Sequence, residues 1–83
     1  MKLEIVTPEK KIFDGEISSI KVPGSKGSFS VLRNHAPIIS TLTKGEIRIV
    51  TKEFATETFS VTGGVIEVHQ NNIVVLADMD ENV

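Results

Sequence analysis

Hydrophobic and polar residues alternate along almost the whole chain, with the period of two that is typical of β-strands. Near the start, Leu3 and Ile5 alternate with charged residues, and Ile47 and Ile49 do the same further along. No segment convincingly predicts a helix; only Thr51–Thr58 is ambiguous, and the β-branched Thr56 and Thr58 argue against a helix there. The pattern therefore predicts an all-β fold, a flattened antiparallel β-sandwich or barrel of about ten short strands.

Turn-forming residues divide this pattern into predicted strands. Asp14-Gly15 predicts the end of a short strand over residues 10–13, and irregular apolar spacing around Ser18-Ser19 predicts a bulge. Gly63-Gly64 predicts a break in the chain, and Asn71-Asn72 predicts a tight hairpin turn, because Asn tolerates positive φ angles. The other predicted strands cover residues 2–5, 16–22, 28–32, 38–42, 45–51, 56–61, 65–70 and 73–77.

The segment from Ile73 to Leu76 is apolar at four consecutive positions, so both faces of its predicted strand are apolar. One interpretation is a central strand that the protein itself covers on both sides. The other interpretation is a strand whose outer face contacts a partner protein. The sequence pattern is compatible with both.

Composition narrows the possible functions. A chain of 83 residues predicts one domain over residues 1–83, and the absence of Trp and Tyr leaves branched aliphatic residues to form the core. The net charge of −2 lacks the basic signature of a nucleic-acid-binding protein. Cysteine is absent, and no apolar run approaches the length of a membrane span. We therefore expect a soluble intracellular protein, with no nucleic-acid partner and no direct membrane insertion.

Few residues could carry chemistry. His35 and His69 are far apart and lack the accompanying ligands of a zinc site. Ser28 and Ser30 have no general base nearby in the sequence. The acidic run Asp78–Glu81 indicates a solvated tail rather than a pair of catalytic carboxylates. We expect no catalytic residue, no cofactor and no metal site.

A glycine-rich segment, Gly24-Ser25-Lys26-Gly27-Ser28, superficially resembles a phosphate-binding loop. Its lysine precedes the second glycine, and an alternating segment follows where a phosphate loop would lead into a helix. The pattern instead predicts the tip of a β-hairpin, which contacts a partner rather than converting a substrate.

The order of these motifs resembles the N-terminal β-sandwich domain of ATP synthase epsilon subunits, called delta in mitochondria. The resemblance covers almost the whole chain in the right order. The segments that carry it are Leu3–Glu9, Phe13–Gly15, Gly24–Gly27, His35–Ile38, Gly45–Ile49, Gly63–Val68 and Val74–Asp78.

This resemblance implies a non-catalytic rotor subunit of the central stalk, which docks the gamma subunit and the ring of c subunits and so couples proton flow to ATP synthesis. It implies a peripheral position on the cytoplasmic face of the bacterial inner membrane. Many family members continue into two C-terminal helices, which inhibit ATP hydrolysis and in some members bind ATP. Because the sequence ends at Val83, we expect this helical hairpin and ATP binding to be absent.

The alternative function is a stand-alone β-sandwich module that binds a peptide or a sugar. Sugar sites generally use aromatic platforms, and the absence of Trp and Tyr weighs against one here. Binding to gamma would distinguish the two functions, because only the rotor subunit requires it.

The resemblance also assigns two contact sets, residue by residue. Ser28 stands where the family often has Glu, so one charged contact to the ring is missing, and Lys26 would supply a different one. Because Ile38 and Ile39 are consecutive, we expect one side chain in the core and the other at the gamma interface. The predicted c-ring contacts are Gly24, Ser25, Lys26, Gly27, Ser28, Phe29 and Ser30, and the predicted gamma contacts are Thr7, His35, Ile38, Ile39 and Ser40.

Overall fold

The computed structural model describes residues 1–79, and every regular element in this part of the chain is a β-strand. There are eight strands rather than about ten. They are β1 (Lys2–Val6), β2 (Lys11–Val22), β3 (Phe29–Val31), β4 (Ile38–Leu42), β5 (Gly45–Thr51), β6 (Thr56–Val61), β7 (Gly63–His69) and β8 (Asn72–Asp78).

One reason for the lower count is that β2 runs without interruption through Asp14-Gly15, where the sequence predicts a turn. Asp14 pairs with Glu4 and Gly15 pairs with Leu3, both on β1. An Asp-Gly pair favours a turn only locally, and here the ladder of hydrogen bonds to β1 holds the backbone extended. The two predicted strands over residues 10–13 and 16–22 are therefore one strand.

The eight strands form one sheet that folds over on itself. Its order is β4-β7-β8-β1-β2-β5-β6, and β3 pairs with β2 on the edge opposite β5. The first half of β2 pairs with β1, whereas the second half pairs with β3 and β5. A register shift between Ile17 and Ser19 marks the crossing from one layer to the other, so the predicted bulge is confirmed. We call β4, β7, β8, β1 and the first half of β2 the first layer, and the second half of β2 with β3, β5 and β6 the second layer.

The central pair of the first layer departs from the predicted antiparallel pattern. β1 and β8 run parallel, with Leu3 opposite Ile73 and Ile5 opposite Val75, whereas the other strand pairs in the described chain are antiparallel. A parallel pair requires a crossover between its strands. Here the intervening chain, which contains the second layer and β4, makes that crossover. All four of these side chains are buried.

The core lies between the two layers and consists of branched aliphatic side chains, as the composition predicts. Burying one such side chain contributes about 1.5–3 kcal/mol to stability. The ten largest fully buried side chains are Leu3, Ile5, Ile20, Val22, Val31, Ile47, Ile49, Ile66, Ile73 and Val75.

Two turns differ in position from the prediction. The β7–β8 hairpin turns at Gln70 and Asn71, with φ angles of 49° and 62°, while Asn72 already belongs to β8. The pairing of His69 with Asn72 leaves Gln70 and Asn71 as the two-residue loop, which requires positive φ at both positions. The predicted break at Gly63-Gly64 falls one residue earlier, at Thr62, because both glycines pair with β8.

Gly64 provides a test of the close backbone approach between β7 and β8. Its φ angle is +145°, and a Cβ atom there would clash with the carbonyl oxygen of Leu76. We expect Gly64→Ala to lower the free energy of unfolding by about 3 kcal/mol, because it adds a backbone clash to the strained φ angle. Gly27→Ala is the matched control, since Gly27 has φ +128° but no atom within 4 Å of the added Cβ. We expect a loss of only about 1 kcal/mol there. Urea unfolding measures both, and equal losses would contradict the predicted clash at Gly64.

Candidate functional site

The outer surface of the first layer carries a group of apolar side chains on four neighbouring strands. Ile39 and Leu76 are 72% and 56% exposed, respectively, and Val6, Val65 and Val74 are half-buried. We call these five residues the apolar strip. Single exposed apolar residues are normal, but a contiguous apolar patch on a small domain commonly marks an interaction surface.

Strand register brings the apolar strip together. Val6 on β1 lies opposite Leu76 on β8, and Leu76 lies opposite Val65 on β7. In the neighbouring row, Glu67 on β7 lies between Ile39 on β4 and Val74 on β8 and is the register partner of both. Side chains opposite one another share a face, and so do residues two apart along a strand. The strip therefore crosses four strands, a width of about 14 Å at the usual strand spacing.

The apolar run in β8 explains how one strand serves both the core and this surface. Ile73 and Val75 are buried, Val74 is half-buried and Leu76 is exposed on the opposite face. No described residue covers Leu76 fully, so the interpretation of a strand covered on both sides does not hold there. The outer face of β8 is open within residues 1–79.

Charged side chains border the strip on the β1–β2 side. Lys11 Nζ lies 2.9 Å from Glu4 Oε2 and 3.2 Å from Asp14 Oδ2, and Lys2 Nζ lies 3.7 Å from Asp14 Oδ1. The hydrogen bonds to Glu4 and then to Asp14 raise the pKa of Lys11. The hydrogen bond from Lys11 lowers the pKa of Asp14. These exposed pairs give the strip a polar rim and contribute little to stability by themselves.

The predicted c-ring contacts lie on the β2–β3 hairpin, whose two strands pair as the sequence predicts, with Val22 opposite Phe29. Residues 24–28 form its tip, and Phe29 and Ser30 lie in β3. The base of the tip is attached to β4. The Ser25 N–H donates to the carbonyl oxygen of Thr41 at 3.0 Å, and the Thr41 hydroxyl donates to Ser25 Oγ at 2.8 Å. The tip therefore has a fixed position relative to β4.

A groove of about 630 Å³ separates the hairpin tip from β4. Its lining combines most of the predicted c-ring set with Ile38, Ile39 and Ser40 from the predicted gamma set. Ile38 packs against the hydrophobic core, whereas Ile39 is exposed. The prediction that one of the two side chains lies in the core is therefore confirmed, and the predicted gamma contact of the other stays a prediction.

The other two predicted gamma contacts lie elsewhere. Thr7 follows β1, three strands away from β4, and lines a cavity of about 400 Å³ together with Val65 and Leu76. His35 lies in the loop between β3 and β4, where its Nδ1 atom is 2.7 Å from the carbonyl oxygen of Ala36. The predicted gamma set is therefore spread along the first layer and does not form one cluster of touching side chains.

Sequence reasoning missed Val6 and Val65 as surface residues, and it offered an outward-facing side of the Ile73–Leu76 strand only as one of two interpretations. The four-residue apolar run Ile73–Leu76 was the available signal, because alternation within it leaves two side chains outside the core. Val6 and Val65 gave no local signal, since their exposure depends on which strands are neighbours.

The remaining sequence predictions concern metal-binding groups, membrane-spanning helices and the acidic tail. Within residues 1–79, no group of three or more His, Asp or Glu side chains could hold a metal ion. The same residues contain no helix long and apolar enough to cross a membrane. Asp78 belongs to β8 rather than to a tail, and Asp80 and Glu81 of the predicted acidic tail lie outside the described residues.

The whole sequence, residues 1–83, matches the family described as the β-sandwich domain of the ATP synthase delta/epsilon chain. The chain belongs to this family. It is 41% identical over 76 residues to the ATP synthase epsilon chain of Chlorobaculum tepidum, covering 92% of this chain and 86% of that relative. The family resemblance seen in the sequence is therefore confirmed, as is the prediction of a subunit other than the catalytic one.

Solved structures support the same fold. A chain in the mitochondrial ATP synthase of Euglena gracilis matches with a TM-score of 0.85 at 17% identity, over 90% of this chain. A chain in the Tetrahymena thermophila mitochondrial ATP synthase central stalk and c-ring structure matches with a TM-score of 0.76 at 25% identity, over 96% of this chain. This chain spans 48% and 63% of the lengths of those two chains.

Through Asp14, the free energy of unfolding depends on pH in a way that can be measured. Because its pKa is lower in the folded chain, its carboxylate stabilises the fold above the ordinary Asp value of about 3.9, and this contribution is lost as the pH falls through the lower folded pKa. We expect Asp14→Asn to flatten the loss of stability below about pH 4. Glu53→Gln is the control, since this exposed carboxylate forms no ion pair with any described residue. Urea unfolding from pH 2 to 7 provides the measurement, and identical profiles for the two variants would contradict the prediction.

Proposed function

We propose that this chain is a non-catalytic subunit of the central stalk of a bacterial ATP synthase. In this role it binds the gamma subunit and the c-ring, and it transmits rotation between proton flow and ATP synthesis. The single observation that carries the proposal is the family match over residues 1–83. The bacterial epsilon chain among its relatives supports a location on the cytoplasmic face of the inner membrane.

Gamma would bind to the apolar strip. Protein interfaces commonly have an apolar centre and a polar rim, and the strip has Leu76 near its middle and the Lys11 ion pairs at one side. Ile39 and Thr7 lie at the two ends of the strip, so one partner surface laid across four strands would contact both. This explains how gamma contacts can be distant from one another in the fold.

The charge within the strip limits which partner surface fits. Glu67 lies between Ile39 on β4 and Val74 on β8, is exposed, and forms no ion pair among the described residues. A buried carboxylate requires a partner charge. The partner surface would therefore be apolar and would present a basic side chain opposite Glu67.

The c-ring would contact the hairpin tip. Lys26 is the only charged residue in the segment from Gly24 to Ser30, which apart from Phe29 otherwise offers hydroxyl and backbone groups. Because Ser25 is hydrogen-bonded to Thr41, a force applied to the tip is transmitted directly into β4. β4 also carries Ile39, so the proposed ring contact and one end of the proposed gamma contact share a strand.

Substitutions on the apolar strip test the gamma contact. We expect Ile39→Asp and Leu76→Asp each to weaken binding to purified gamma at least about tenfold, because each places a charge at an apolar interface. Both side chains are exposed, so the melting temperature should change little. Phe54→Asp is the matched control, since Phe54 is 79% exposed but lies on the β5–β6 turn. Calorimetric titration gives the affinities.

Two outcomes of this titration would count against the proposal. If the folded wild-type chain does not bind gamma at micromolar concentrations, the rotor function is wrong. If the wild-type chain binds but all three variants bind equally well, the rotor function stands and the strip is not the contact surface.

Charge reversal at the hairpin tip tests the ring contact. In reconstituted ATP synthase, we expect Lys26→Glu to reduce ATP-driven proton pumping about three- to tenfold, because it replaces the only cation of the tip with an anion. Lys52→Glu makes the same charge change on the β5–β6 turn and should leave pumping unchanged. Equal pumping by the two variants would exclude Lys26 as a contact that matters for coupling.

A further inference from the structure

Two asparagines join separate turns of the chain by reciprocal hydrogen bonds. The Asn34 backbone N–H donates to Asn71 Oδ1 at 2.7 Å, and the Asn71 side-chain amide donates to Asn34 Oδ1 at 3.1 Å. Asn34 lies in the loop between β3 and β4, and Asn71 lies in the β7–β8 turn, 37 residues later. We call this pair the asparagine bridge.

Both asparagines have left-handed backbone conformations, with φ angles of 66° at Asn34 and 62° at Asn71. Glycine adopts this conformation at no steric cost, so the backbone geometry alone does not require Asn at either position. What asparagine adds is a carboxamide that can accept and donate at the same time. The backbone oxygen of Asn71 also accepts a hydrogen bond from the Lys2 N–H at 3.0 Å, which fixes the turn to β1.

The bridge is the main polar attachment of the loop that carries His35. Among the hydrogen bonds of residues 1–79, it supplies the only side-chain bonds that join residues 32–37 to another part of the chain. The other bonds in this loop are local. His35 N–H donates to the Leu32 carbonyl oxygen at 3.1 Å, and His35 Nδ1 contacts the Ala36 carbonyl oxygen.

The contact with Ala36 also orients the imidazole ring. Because a carbonyl oxygen only accepts hydrogen bonds, Nδ1 carries the proton in this contact. In the neutral ring Nε2 is then an acceptor, and it remains available to a donor on a partner. This arrangement is useful for binding only if the loop holds its position before the partner arrives.

We propose that the asparagine bridge is a positioning device that holds residues 35–37 in the conformation that binds gamma. This inference rests on the proposed function, in which His35 is a gamma contact. A loop that is already ordered loses less conformational freedom when it binds, so the bridge raises affinity without itself touching the partner. Asn34 and Asn71 are thus positioning residues rather than contact residues.

The experiment uses the full chain with Asn71→Gly, Asn34→Gly and the double variant. Glycine retains the left-handed backbone and removes only the carboxamide. Gln70→Gly is the matched control, because Gln70 has φ 49° in the same turn and its side chain takes no part in the bridge. Amide hydrogen exchange at His35 reports loop order in the free chain, and calorimetric titration with purified gamma reports affinity.

We expect Asn71→Gly to speed exchange of the His35 amide about tenfold and to weaken gamma binding about three- to tenfold, at an unchanged melting temperature, and Asn34→Gly to have a smaller effect on both. The double variant should match Asn71→Gly, because that single change already removes both hydrogen bonds, whereas Asn34→Gly retains the bond from the backbone N–H of residue 34 to Asn71 Oδ1. Gln70→Gly should match the wild type in both measurements.

Exchange at His35 that is unchanged in Asn71→Gly, or raised equally in Gln70→Gly, would overturn the positioning role. Faster exchange with unchanged gamma affinity would overturn it as well, since the ordered loop would then not serve binding. Failure of the wild-type chain to bind gamma would instead overturn the proposed function, and exchange in the free chain would still show whether the bridge orders the loop.

Discussion

The whole architecture depends on β2 remaining one strand while it belongs to two layers. Its first half is hydrogen-bonded to β1 and its second half to β3 and β5, with the register shift between Ile17 and Ser19 at the crossing. If β2 ended at Asp14-Gly15, no strand would run continuously from one layer into the other. The continuous backbone of β2 therefore provides a rigid covalent link between the layers, as a subunit that transmits torque requires.

The surface proposed for binding follows from the same strand alternation that builds the core. On β8, Val75 points inward and Leu76 outward, and on β4 Ile38 and Ile39 divide in the same way. A shift of one residue in register would exchange the two faces and place Leu76 in the core. The core therefore determines the position of the apolar strip, because the register that buries Val75 also exposes Leu76. A docking surface built in this way is as stiff as the sandwich.

The sequence predicted those features that depend on local pattern and missed those that depend on which strands become neighbours. Alternation predicted the all-β fold and most strands, and the resemblance supplied the family. The Asp14-Gly15 turn was wrong, because pairing with β1 outweighs a local turn preference. The parallel β1–β8 pair and the contribution of Val65 to the strip depend on topology, which periodicity does not encode. Similarly, nothing local indicated that Asn34 and Asn71 would meet across 37 residues.

Stiffness at the two ends of the first layer has different physical origins. At the end near the hairpin tip, backbone and hydroxyl bonds join Ser25 to Thr41. At the other end, side-chain amides join Asn34 to Asn71. Both attachments connect a loop to the first layer, and the apolar strip lies between them. A load that enters at the tip can therefore reach the strip through β4 without passing through an unattached loop. The hydrogen bonds of Ser25 with Thr41 and of Asn34 with Asn71 thus attach the described loops at both ends of the first layer to its strands.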